Sequence, residues 1–288
     1  MVTAQMVKEL REKTGAGMLD CKKALEATGT IDAAITWLRE KGIAKAAKKA
    51  DRIAAEGLCD VIVKGNQAVV FELNSETDFV SKNAQFLDLL KTIGEVIVDS
   101  DAKCTDCALK LEKDGKTVET LLAEATASIG EKITLRRVSR FTKTDSQNFG
   151  AYKHMGGRIV SLTLLEGANE DVAKDVAMHV AAINPKYLSQ ENISAEVVEQ
   201  EKNILTQEAL NEGKPAAIVE KMVMGRLNKY LKEICLLNQP FVKNPDETVE
   251  KFVANNKGSI MNYIRLEVGE GIEKAEVDFA AEVAAQMK

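Results

Sequence analysis

Two histidines in a chain of 288 residues leave little for acid–base or acyl-transfer chemistry, and no nucleophile-elbow sequence is present. His154 and His179 stand alone, and lone histidines are more often structural than catalytic. No P-loop pattern occurs: Gly15-Ala16-Gly17 joins two helical segments, and Gly269-Glu270-Gly271 follows a strand-like run without the third glycine of a dinucleotide fingerprint. The chain is therefore expected to hold no nucleotide and no other cofactor. No apolar run approaches the roughly eighteen residues that a spanning helix needs. The opening Met1-Val2-Thr3-Ala4-Gln5 passes into a helical pattern without a basic-then-apolar leader, so the expected location is cytoplasmic. Cysteine is scarce and unpaired in pattern: Cys21, Cys59, Cys104, Cys107 and Cys235 are an odd, scattered set rather than a disulfide framework. Cys104 and Cys107 alone have a suggestive spacing. A structural zinc would want a second pair or nearby histidines, and a thioredoxin-like pair would follow a strand at a helix start, whereas this one follows Asp99-Ser100-Asp101 in an expected loop. No catalytic and no metal-ligating residue is assigned.

What is present describes an ordinary globular chain: 45% hydrophobic and 29% charged residues, with a length that suggests two domains. The net charge of −5 is unevenly spread, since residues 1–52 carry a net of +4 and the remainder a net of −9. Lys41, Lys45, Lys48, Lys49 and Arg52 supply the basic excess. Without interleaved aromatics or a reading motif, this segment is a solvated, alanine-rich helical linker before it is a nucleic-acid patch.

Three short helices fill residues 1–52: Thr3 to Lys13 with Met6, Val7 and Leu10; Met18 to Ala27 with Leu19 and Leu25 inward; and a third capped by Thr30 or Asp32, with Ile35 and Leu38 on the same core and Trp37 at its edge. An α+β core in two halves follows, residues 53–140 and 141–276. Its strands are expected at Leu58 to Val63, Ala68 to Leu73, Ile133 to Phe141, Arg158 to Leu165 and Ile260 to Val268. The halves are an internal repeat: Thr117-Val118-Glu119 recurs as Thr248-Val249-Glu250, and at the same offset of 131 Ile129, Ile133 and Leu135 match Ile260, Ile264 and Leu266. Val80-Ser81-Lys82-Asn83 is set against Val172-Ala173-Lys174-Asp175. Inserted in the second half, at about 187–236, Ala195 to Asn211 and Pro215 to Ile234 flank Gly213-Lys214-Pro215. They read as an antiparallel helical hairpin, or as two helices packed on a globular core. Val277 to Met287 reads as a C-terminal amphipathic helix, a module of residues 277–288.

Thr77-Asp78-Phe79-Val80 falls where a strand hands over to a helix expected from Val80 to Val98, with apolar Phe86, Leu90, Ile93 and Ile97. Asp78 or Thr77 can cap that helix, and Phe79, seven residues before Phe86, can begin its buried stripe. The alternative is a large apolar ring offered at an exposed turn beside a carboxylate.

The run Leu10-Arg11-Glu12-Lys13-Thr14-Gly15-Ala16-Gly17-Met18-Leu19-Asp20-Cys21-Lys22-Lys23-Ala24-Leu25 resembles the N-terminal signature of bacterial translation elongation factor Ts. The resemblance continues through Thr77-Asp78-Phe79-Val80, Ala177-Met178-His179-Val180-Ala181-Ala182 and Ile264-Arg265-Leu266-Glu267-Val268-Gly269-Glu270-Gly271. It implies a ubiquitin-associated-like three-helix N-terminal domain, a two-part core, a protruding hairpin and a C-terminal module. It also implies a guanine-nucleotide exchange factor, not an enzyme, whose partner is elongation factor Tu in its GDP-bound and nucleotide-free forms. Asp78 and Phe79, within Thr77 to Val80, would then enter the partner beside its magnesium site. Arg11, Met18, Leu19, Ile129, Gly130 and His154 match further contact positions. Met155-Gly156-Gly157 is one residue longer than the family's His-Gly-Ala, which loosens the placement of His154, and Cys104 to Cys107 has no counterpart in the family's motifs. A homodimer or a 2:2 complex is left open; no membrane or nucleic-acid partner is expected.

Overall fold

The computed structural model describes residues 2–213 and 215–273. The expected C-terminal helix and the module 277–288 lie outside the described residues. The chain divides into two compact units, one holding the residues up to Phe141, Met155–Ile159 and the segment from Leu266, the other holding Thr142–His154 and Val160–Arg265.

In the first unit, helices α1 (Ala4–Thr14), α2 (Met18–Thr28) and α3 (Ile31–Ala47) enclose Leu10, Cys21, Ala24, Leu25 and Ala34. Thr3 and Thr30 cap α1 and α3 through their hydroxyls, each satisfying an N–H that the helix itself leaves open. Leu19 does not point inward as expected; it is 73% exposed. At 3.6 residues per turn, Cys21, Ala24 and Leu25 share one face of α2, and Leu19 falls on the far side. After Ala47 the chain leaves the helix in turns, so the basic segment is not a continuous helical linker.

Strands β1 (Glu56–Lys64) and β2 (Gln67–Ser75) form an antiparallel hairpin in which Lys64 pairs with Gln67. Helices α4 (Ala84–Val98) and α5 (Thr105–Leu109), the short antiparallel pair β3 (Glu112–Lys113) and β4 (Lys116–Thr117), helix α6 (Val118–Ile129) and strand β5 (Thr134–Thr142) follow. The sheet order is β1-β2-β5, which makes β2 the central strand. Its alternate residues Val69, Phe71 and Leu73 meet Phe86, Leu90, Ile93 and Ile97 of α4, a period of two against a period near 3.6. Gly94 keeps the helix close: a methyl there would stand 2.4 Å from Ile62 Cδ1. Cys104 and Cys107 form a disulfide, and Cys104 caps α5. This corrects the expected loop without a disulfide; three residues of spacing across a first helical turn bring the Cα atoms to 5.2 Å.

The second unit repeats this plan with β6 (Gln147–His154), β7 (Ile159–Glu166), α7 (Glu170–Ile183), the hairpin helices α8 (Ala195–Asn211) and α9 (Ala216–Ile234), the antiparallel pair β8 (Pro240–Phe241) and β9 (Asn244–Thr248), α10 (Val249–Asn255) and β10 (Ser259–Glu267). The order β10-β7-β6 mirrors the first sheet strand for strand. Thr117 and Thr248 cap α6 and α10 in the same way, which gives the repeated Thr-Val-Glu a structural cause. The fixed offset fails beyond those caps: Ile129 ends a helix, whereas Ile260 lies inside a strand, because α10 is the shorter helix. Asn83 and Asn169 cap α4 and α7, so Asn83 aligns with Asn169 rather than with Asp175. The hairpin arms pack on each other, Val197 and Val198 near Leu227 and Leu231, and Leu205 and Ala209 near Val219 and Val223. No helix among the described residues is long and apolar enough to cross a membrane.

Candidate functional site

Between the end of β2 and the start of α4 the chain makes a compact protruding loop. The helix begins at Ala84 with Asn83 as its cap, its Oδ1 accepting from the Gln85 N–H at 2.8 Å. Neither Thr77 nor Asp78 caps it, because a separate 3-10 turn, Val80–Lys82, intervenes and Asn83 is extended at φ −73, ψ 134. That break removes the seven-residue relation between Phe79 and Phe86: Phe86 is fully buried, and the Phe79 ring is 80% exposed.

The loop is tied at nearly every residue. Ser75 Oγ donates to the Thr77 carbonyl at 2.9 Å, and Ser81 Oγ donates to the Asp78 carbonyl at 2.6 Å. The Lys82 N–H donates to the Phe79 carbonyl and the Asn83 N–H to that of Val80. Val80 is buried at 7% exposure and anchors the turn in the first core, while Asp78 carries a half-exposed carboxylate 3.6 Å from Lys82 Nζ. Such a surface pair contributes little to stability. The turn thus fixes the backbone under an aromatic ring that gains nothing from the protein's own core.

The segment after α6 supports the loop from one side. Gly130 closes α6 at φ 94, a conformation that suits glycine. Directly after it, Glu131 accepts from the Thr77 N–H at 2.9 Å and from Thr77 Oγ1 at 2.7 Å. The Lys132 N–H donates to Glu76 Oε1 at 2.6 Å. Lys132 Nζ reaches the carbonyls of Ala50 and Arg52, Arg52 pairs with Glu76 at 3.2 Å, and Lys49 Nζ donates to the Gly130 carbonyl. Two cations of the basic segment are therefore engaged with this region. Ile129 packs partly buried against the first core and Gly130 is exposed, so these two residues and Thr77 to Val80 belong to one bonded region.

Beneath the loop, β2 ends in a buried charge cluster. Glu72, fully buried, accepts from the Gly269 N–H at 2.8 Å, Asn74 Nδ2 at 2.9 Å, Arg136 at 3.2 Å and Arg137 Nε at 2.5 Å. Burial alone would raise its carboxyl, but the Gly269 amide, Asn74 and Arg137 together hold it below the ordinary range. The anchoring strand is thereby locked to the segment that follows β10.

Arg11, Met18 and Leu19 lie on the surface of α1 and α2, with Met18 61% and Leu19 73% exposed. His154, in the second unit, is exposed at the end of β6, its ring stacked at 6.1 Å on that of Tyr152. Met155 follows at φ 49. His179 is a different case: it is buried, Nδ1 accepts from the Val242 N–H at 3.1 Å, and Nε2 faces Gln239 Oε1 at 2.9 Å. Burial lowers its pKa against the opposing pull of Gln239, which marks it as a packing residue. Glu131, Glu76 and Lys132 were not legible as supports in the sequence, since they act across more than fifty residues of chain and carry no motif of their own.

The family model described as elongation factor TS matches residues 76–270. The chain belongs to the elongation factor Ts family. It is similar to elongation factor Ts of Acholeplasma laidlawii (strain PG-8A), at 59% identity over 292 residues that cover 99% of each chain. The span matched by the elongation factor Ts model opens at Glu76, so it takes in the whole protruding loop, Ile129-Gly130 and His154, while Arg11, Met18 and Leu19 precede it.

Proposed function

We propose that the chain is the guanine-nucleotide exchange factor of elongation factor Tu in translation elongation, acting in the cytoplasm as a binding protein and not as an enzyme. The observation that carries this reading is Phe79, 80% exposed on a loop whose backbone is tied on both sides. A rigid aromatic displayed to water is what an interface anchor requires, because little ordering remains to be done on binding. Membership of the elongation factor Ts family supplies the partner.

In this reading Phe79 enters the partner as an apolar wedge and Asp78 accompanies it, beside the magnesium that bridges the partner's oxygens to the nucleotide phosphates. Disturbing that ion's surroundings weakens retention of GDP without breaking a bond. Thr77 and Val80 seat the wedge, while Arg11, Met18, Leu19, Ile129, Gly130 and His154 supply further contacts. Exchange requires tighter binding to the nucleotide-free partner than to its GDP form, by linkage GDP then expels the factor to the same degree, and mass action by GTP completes the cycle. The test is release of a fluorescent GDP analogue from elongation factor Tu. Acceleration by the folded chain supports the reading, and no acceleration sinks it.

A further inference from the structure

Thr77 sits one residue before the Asp78-Phe79 pair, and both of its polar groups that face the α6 end are held by one side chain, the N–H and the hydroxyl each donating to a separate oxygen of Glu131. The neighbouring residues repeat the arrangement in reverse, with the Lys132 N–H donating to the Glu76 carboxylate. Two consecutive loop residues are therefore bonded to two consecutive residues after α6. Arg52 and Lys132 close the ring, the former on Glu76 and the latter on the Ala50 and Arg52 carbonyls.

We propose that Glu131 is the positioning residue of the exchange loop, fixing the conformer in which Phe79 projects; this rests on the function proposed above. A carboxylate is suited to the task because it is an acceptor at both oxygens, and Thr77 offers two donors from one residue. The loop's internal bonds fix the turn itself, from Ser75 through Asn83. Its direction relative to α6 is set from outside the turn, by the Lys132 N–H on Glu76 and by Glu131, which alone holds Thr77, the residue next to the Asp78-Phe79 pair. Without the clamp the projecting conformer becomes one of several, and the rate of the step that needs it falls by the fraction of molecules that hold it. Thr77 acquires a role of its own by this argument: it is held from behind rather than offered to the partner.

The experiment measures GDP-analogue release from elongation factor Tu over a range of concentrations of the full chain, for wild type, Glu131→Ala, Glu131→Gln, Thr77→Val and the double variant Glu131→Ala/Thr77→Val. Acceleration by wild type is judged first, and its absence would remove the underlying function rather than this inference. Given acceleration, Glu131→Ala is expected to lower the limiting rate about ten-fold with the half-saturating concentration changed less than about two-fold, since the other contacts remain. Glu131→Gln keeps an acceptor for the Thr77 N–H and an amide donor for its hydroxyl, so it retains most of the rate. Thr77→Val adds nothing in the Glu131→Ala background, because both act through one clamp. In the free proteins the Thr77 amide exchanges faster with solvent deuterium in Glu131→Ala, while the amides of α4 keep their protection. An unchanged limiting rate, a loss confined to the half-saturating concentration, or additive effects of the two substitutions would overturn the proposal. Should Glu131→Ala fail to fold, equal rates for Thr77→Val and wild type would overturn it, and a loss in Thr77→Val with recovery in Thr77→Ser would sustain it.

Discussion

The two α+β repeats share a strand order yet differ in how the helix meets the sheet and in how the chain reaches it. In the first, α4 rests on the large side chains of Val69, Phe71 and Leu73. In the second, α7 lies so near β6 that a Cβ on Gly150 would stand 2.0 Å from the Ala173 carbonyl, and Ser161 and Thr163 donate from β7 to the Ala177 and Ala173 carbonyls at 2.6 and 2.7 Å. The connections differ in the same measure. From β7 to the cap of α7 only Gly167 and Ala168 intervene, whereas β2 is separated from the cap of α4 by Glu76 through Lys82. The second repeat carries its elaboration elsewhere, in α8 and α9 between α7 and β8. One scaffold thus carries a large addition at either of two junctions, and the second repeat builds the same strand order without a counterpart of the Phe79 loop.

Breaking each repeat at its own packing device gives the largest effects. Glu72→Ala removes the carboxylate shared by Arg136, Arg137, Asn74 and the Gly269 amide, leaving Arg136 its Glu270 carbonyl, Arg137 its Glu267 carbonyl and Asn74 its Glu56 carbonyl. The Gly269 amide loses its acceptor while the two arginines stay partly exposed and otherwise bonded, so a loss of about 2–3 kcal/mol in urea unfolding is expected. Gly150→Ala drives a methyl into α7 backbone and should cost about 3 kcal/mol, while Gly94→Ala meets side chains alone, Ile62 Cδ1 at 2.4 Å and the buried Phe71 ring at 2.9 Å, and costs less. Equal losses at the two glycines would erase the distinction between a helix packed against backbone and one packed against side chains.

A smaller, pH-dependent difference follows from His179, which has a place in α7 and none in α4. Its pKa is lowered in the folded protein, so the unfolded chain takes up a proton near pH 6.5 before the native one does. Stability from this group is therefore complete above about pH 6.5 and declines as pH falls from there through the lowered native value. Urea unfolding at pH 7.5 and 5.5 should show the decline in wild type and a reduced decline in His179→Gln. The window of Glu72 lies lower, because its contribution is present above the ordinary carboxylate range and lost only as pH falls through its depressed pKa.

Much of this arrangement was legible in the residues, and what was missed has identifiable causes. Strands rich in β-branched residues were found within one or two positions of their observed ends, and Ala195 to Asn211 was placed residue for residue, because periodicity and the Gly-x-Pro break agree there. Strand β6 has no such signal: Asn148-Phe149-Gly150-Ala151 lacks β-branched residues, and its glycine answers to α7, a demand from another part of the chain. The apolar type of Leu19 predicts an inward side chain, although its angle on the helix places it outward. The turn at Thr77 to Val80 is visible in the sequence, but the expected cap falls earlier than Asn83 because the intervening 3-10 turn has no strong sequence sign. Glu131 was invisible for a more general reason: it gains meaning only when α6 and β2 are set side by side.

The smallest expected stability effect belongs to Phe79, the residue on which the proposed function rests. Phe79→Ala removes a ring that is 80% exposed, so urea unfolding should change by less than about 0.5 kcal/mol. The most direct test joins that measurement to GDP-analogue release from elongation factor Tu with the same variant. The account predicts a fold of unchanged stability together with a marked slowing of exchange; wild-type exchange rates in Phe79→Ala, or a large loss of stability, would contradict it.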